Sequence, residues 1–72
     1  MDKTNYIAEN LKAVRLSKKM TQPEMSKILY IHYNSLLEYE SGRRAVPLDI
    51  AIKLTELTGK TLDELVFTKI EF

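Results

Sequence analysis

The stretch "TQPEMSKILYIHYNSLLEYESGRR" at residues 21–44 holds two short helix-like runs with almost nothing between them, and the second begins with His32, Tyr33, Asn34 and Ser35. Four polar or amphipathic side chains in one first turn offer hydrogen-bond donors and acceptors to something other than a core. A small buried helix has no use for them; a helix whose first turn faces a partner does. Bond-making chemistry has no comparable tools here. The chain has one His, no Cys, no glycine-rich phosphate loop and no paired carboxylates in a plausible pocket, so no nucleophile or metal ligand can be assigned. Asp63 and Glu64 are adjacent in a helix-start motif, and capping accounts for them. No enzyme activity, cofactor or metal is expected.

The net charge of +1 conceals a polarity. Residues 1–20 hold five Lys/Arg against two acids, residues 21–44 three against three, and residues 45–72 three against five. An anionic partner would approach the basic N-terminal side, because a local patch matters more than the sum over the chain. Charges scattered for solubility are the plainer reading of the same numbers.

Residues that recognise a partner need elements to hold them, and 72 residues allow one domain with a marginal core, since a chain of this size buries only roughly 60% of its unfolded surface. Self-association would help it. With 44% hydrophobic and 29% charged residues the composition is that of an ordered globular domain. The absence of cysteine removes disulfides and thiolate zinc sites, no apolar run approaches ~18 residues, and "MDKTNYIAEN" has no signal-peptide core. A cytoplasmic location is expected, with no membrane association.

Five helical segments emerge from the periodicity. From about Asn5 to Lys19, Ile7, Leu11 and Val14 share one arc, with Lys12, Arg15 and Lys19 beside it. "TQPE" at Thr21–Glu24 fits a capping box, and Pro23 sits in a first turn where a missing N–H is tolerated. Met25, Ile28 and Leu29 form the expected buried face of that second helix. The third runs from about His32 to Gly42, a plausible left-handed end, with Leu36 and Tyr39 buried and Ile31 just before. A fourth starts at "VPLD" and stops at Gly59. It carries two apolar arcs, Leu48, Ala51 and Ile52 against Ile50, Leu54 and Leu57, so cover on both sides is expected. "TLDE" at Thr61–Glu64 repeats the capping box and opens a short fifth helix through Leu65 and Val66.

A helix of about eight residues, a turn too short to be a linker and a helix of about nine is the helix-turn-helix layout, which presents its second helix to the DNA major groove. At "LKAVR", "TQPEMSKIL", "LLEYESGRR", "VPLD" and "TLDEL" the sequence resembles the Cro/repressor-type (XRE-like) helix-turn-helix family of phage and bacterial transcription regulators. The resemblance spans about residues 7–66. It implies an all-α, five-helix, lambda-repressor-like DNA-binding domain at residues 1–66, followed by an apolar tail at 67–72.

The resemblance also implies roles. Gln22 contacts a phosphate and braces the start of the recognition helix; Arg15 pairs with Glu40 at the end of that helix; Tyr33, Asn34, Ser35 and Glu38 face the groove; Arg43 and Arg44 lie near the DNA backbone. Asn suits adenine, Glu can accept from cytosine, Ser is permissive, and Tyr can lie against a thymine methyl. The recognition helix has no Arg or Lys, so affinity would rest on phosphate contacts from residues around it, among them Lys19, Lys27, His32, Arg43 and Arg44. Gln22 as an exposed first-turn residue, and Asn34 and Ser35 as helix-start residues with local hydrogen bonds, are the plainer readings. Glu38 would repel phosphates unless a cytosine or a basic neighbour meets it.

Three positions depart from the family pattern: Tyr30 at a turn position that is commonly Gly, Ser26 for a small Ala, and an apolar Leu37 on the outward side. Leu37 motivates the alternative, a helix-turn-helix fold that binds a protein as an antirepressor, inhibitor or antitoxin. The leading expectation is a homodimeric repressor bound to a double-stranded operator. Ile50, Leu54, Leu57, Phe67, Ile70 and Phe72 are expected at the dimer interface, with tail residues folded back on their own domain as the plainer reading.

Overall fold

The computed structural model describes residues 5–72, so the first four residues of the expected domain lie outside it. Five helices form: α1 (Ile7–Ser17), α2 (Gln22–Leu29), α3 (Tyr33–Ser41), α4 (Leu48–Thr58) and α5 (Leu62–Phe67). Among the described residues there is no strand.

Local chemistry sets the boundaries. Thr21 Oγ1 accepts from the Glu24 N–H at 3.2 Å while the Glu24 carboxylate accepts from the Thr21 N–H at 2.7 Å. The Thr61–Glu64 box repeats this at 3.1 and 2.9 Å. Both glutamates are held below the usual carboxylate range, first by the backbone N–H of the capping threonine and then by its hydroxyl. At the other ends, α2 and α3 close with the same paired bonds. Tyr30 N–H reaches Lys27 O and Ile31 N–H reaches Ser26 O; Gly42 N–H reaches Tyr39 O and Arg43 N–H reaches Glu38 O. This closure needs a left-handed residue. Gly42 supplies it without strain (φ 80°), whereas Tyr30 adopts φ 58°, ψ 44° at a cost of about 1 kcal/mol. The departure from Gly at Tyr30 therefore keeps the turn geometry and strains the backbone. Lys53 Nζ lies 4.4 Å from the centre of the Tyr30 ring and donates to Leu29 O at 3.2 Å, covering that corner.

Every helix contributes to one core: Ile7, Leu11 and Val14 from α1, Met25 and Leu29 from α2, Leu36 and Tyr39 from α3, Ile50, Ala51 and Leu54 from α4, Leu65 from α5. α1 runs through the middle of it, packing on α3, α4 and α5.

Three apolar expectations are corrected by this packing. Ile28 is 44% exposed, because Met25, Ser26 and Leu29 form the inner face of α2. Helix α4 is covered on one side only: Ile50, Ala51 and Leu54 face the core, and Leu48 and Ile52 face outward at 63% and 46% exposure. Ile50 and Leu54, expected at a dimer interface, are 2% and 0% exposed in their own core and have no surface to offer a second copy. His32 stands at the N-cap of α3 in extended conformation, and its side chain makes no cap hydrogen bond.

The tail is tied down by a residue that periodicity passed over. Asn10 is fully buried on the inner face of α1. Its Nδ2 donates to Leu65 O and Thr68 O, both at 2.7 Å, and its Oδ1 accepts from the Ile70 N–H at 3.0 Å. One side chain thus satisfies three backbone groups where α5 ends, and Ile70 packs against the core.

Candidate nucleic-acid interface

Helix α3 is anchored on one face and open on the other. Leu36 and Tyr39 are buried, so the helix cannot roll, and this leaves Tyr33 and Asn34 exposed and Ser35 half-buried in its first turn. Its far end is fixed by charge. Arg15 and Glu40, with side chains only 10% and 4% exposed, meet through Nε–Oε2 at 2.8 Å and Nη2–Oε1 at 3.2 Å. Arg15 Nη1 also donates to Met20 O at 3.0 Å, so the guanidinium ties α1, the α1–α2 turn and α3 into one joint.

Gln22 joins the same cluster. Its Nε2 donates to Glu40 Oε1 at 3.2 Å. The residue therefore braces the end of α3 through Glu40 and not its expected start, and a primary amide retains a second N–H. Around this cluster Lys12, Gln22, Leu37, Glu38, Glu40, Ser41 and Arg43 line a shallow concavity of about 340 Å³. Leu37 is half-buried and lines it.

The residues expected at phosphates differ in their engagement. Lys19, Lys27, His32 and Arg43 are exposed. Lys19 holds a left-handed backbone conformation (φ 56°) that ends α1 and starts the turn into α2. Arg44 is bound back onto α3, donating to Glu38 Oε1 at 2.7 Å and to the Tyr39 hydroxyl at 2.8 Å. The hydrogen bond to Tyr39 is the main reason its guanidinium sits above its ordinary pKa. A basic neighbour thus meets Glu38. Sequence reasoning missed Asn10 and the Glu38–Arg44 and Gln22–Glu40 contacts; for Asn10 a signal existed, since residues 7, 10, 11 and 14 fall on one helical arc.

A pair of short helices with the second anchored from behind and polar in front is a helix-turn-helix. The helix-turn-helix family model matches residues 11–65, from the middle of α1 to the last buried residue of α5. The chain belongs to the Cro/C1-type (XRE-like) helix-turn-helix family of DNA-binding domains. Over 56 residues it is 38% identical to a protein of Thermococcus kodakarensis named "Putative HTH-type transcriptional regulatory protein", a match that takes in 78% of this chain and 18% of that protein. The chain thus spans less than a fifth of that relative's length. No solved structure matches it. No helix among the described residues is long and apolar enough to cross a membrane.

Proposed function

We propose that the domain is a sequence-specific transcriptional regulator, a homodimeric repressor in the cytoplasm, that reads the major groove of its operator with α3. The observation that carries this reading is the exposure of Tyr33 and Asn34 in the first turn of a helix whose back is locked by Leu36, Tyr39 and Glu40. A reading head must be rigid, because base contacts discriminate only when the donor cannot shift to suit the wrong base. In this arrangement Asn34 takes the adenine role, Tyr33 and Ser35 make permissive contacts, and Lys19, Lys27, His32 and Arg43, with the second N–H of Gln22, meet phosphates on either side. Among the expected dimer residues, Leu57, Phe67, Ile70 and Phe72 keep some exposure for a second copy, and Phe67 keeps most.

The test is a mobility-shift titration against the DNA upstream of the protein's own gene, paired with sedimentation equilibrium at tens of micromolar. A specific shift that competitor DNA does not remove, together with a dimeric mass, supports the reading. Absence of any shift, with a protein captured through the α3 face instead, replaces DNA with a protein partner.

A further inference from the structure

The recognition helix carries no Arg or Lys, the side chains that most often read guanine. The fold brings one to it from outside. After the chain turns at Gly42, Arg44 lies back along α3, with Nη1 2.7 Å from Glu38 Oε1, Nη2 2.8 Å from the Tyr39 hydroxyl, and its central carbon 4.9 Å from the middle of the Tyr39 ring. Glu38 follows Asn34 by one helical turn, so the two share a face, and the guanidinium held by Glu38 is placed beside that face. A lone exposed ion pair is weak and mobile. Here two side chains hold the guanidinium, and one of them, Tyr39, is buried in the core and cannot swing. These contacts use part of the guanidinium's set of donors and leave the rest on a half-exposed side chain.

We propose that Arg44 is a base-reading residue, positioned by Glu38 and Tyr39 to take a guanine next to the base pair read by Asn34, with Glu38 as its bracket and not an acceptor for cytosine. This rests on DNA reading by α3 and deepens it. It also accounts for an acid on a surface that meets phosphates: paired with Arg44, Glu38 presents no net charge.

The experiment selects binding sites from a randomised duplex pool with the full chain. It then measures affinity for the selected site, its single-base variants and random DNA, using wild type, Arg44→Lys, Arg44→Met and Glu38→Ala. Lysine keeps the charge and loses the planar fork. The selected site should contain a guanine whose replacement weakens wild-type binding roughly tenfold or more. Arg44→Lys and Glu38→Ala should both lose that preference while retaining the one set by Asn34. The inference is overturned if Arg44→Lys keeps every base preference and Arg44→Met weakens binding to all sequences alike, which makes Arg44 a backbone contact with DNA reading intact. It is equally overturned if Glu38→Ala alone loses a cytosine preference. If no sequence is selected at all, DNA reading falls and the inference falls with it. Thermal transitions of the three variants, all at surface positions, separate lost recognition from lost folding.

Discussion

Removing the Glu40 carboxylate should destabilise the domain far more than an ordinary surface change. The pair it forms with Arg15 is nearly closed to solvent and bidentate, and Glu40 also takes the Gln22 amide. In Glu40→Ala the guanidinium remains buried with only Met20 O as partner, and breaking a buried pair from one side costs about 3–5 kcal/mol. The lower figure fits, since Arg15 keeps that carbonyl. A 72-residue domain has roughly 4–11 kcal/mol of stability in all. With an unfolding entropy of about 2 cal/mol/K per residue, a loss of about 3 kcal/mol lowers Tm by roughly 20 °C. Arg15→Met/Glu40→Leu leaves no buried charge and should be more stable than Glu40→Ala alone, which a double-mutant cycle by urea titration would show. A Tm for Glu40→Ala within a few degrees of wild type, above all with DNA binding abolished, would refute the structural role and make Glu40 a recognition residue.

Three further outcomes follow from the same geometry. Asn10→Ala should leave Leu65 O, Thr68 O and the Ile70 N–H without their partner and cost roughly 2–4 kcal/mol; amide exchange should show residues 68–72 losing protection before the core of α3. The depressed pKa values of Glu24 and Glu64 mean that their contribution is complete above their ordinary value of 4.5 and disappears as pH falls through the lower folded value. Glu24→Gln/Glu64→Gln should therefore show a shallower fall of Tm with acid below about pH 4.5. Lys19→Ala should weaken binding to every sequence and reduce the slope of log K against log salt by about one, measurable by anisotropy across a salt series.

Local signals were legible in the sequence and through-space ones were not. Thr21 and Thr61 announce their capping boxes because both partners lie within four residues, and Gly42 and Gly59 mark helix ends for the same reason. The Arg15–Glu40 expectation came from resemblance, since nothing in the spacing of two residues 25 apart requires a contact. Periodicity finds both apolar arcs of α4 but cannot say which the other helices cover, so cover on both sides is expected, with Ile50 and Leu54 against a second copy; instead Ile50 and Leu54 lie in the domain's own core and Leu48 and Ile52 stay exposed. Asn10 sat on the inner arc of α1 in plain sight. Its partners are 55 or more residues away, so no local pattern could explain a polar residue there. The resemblance puts Arg44 near the DNA backbone, and its contacts with Glu38 and Tyr39 could not be read from the sequence because they depend on a turn at Gly42 that folds it onto α3.

The central claim is that the first turn of α3 reads bases, and Asn34→Ala tests it most directly. Affinities of wild type and Asn34→Ala are measured by anisotropy on the selected site and on random duplex at one fixed salt concentration. Loss of a bidentate base contact should cost about 1–3 kcal/mol on the selected site, with much less lost on random DNA and an unchanged Tm. Equal losses on both duplexes, or no loss on either, would contradict base reading by this helix.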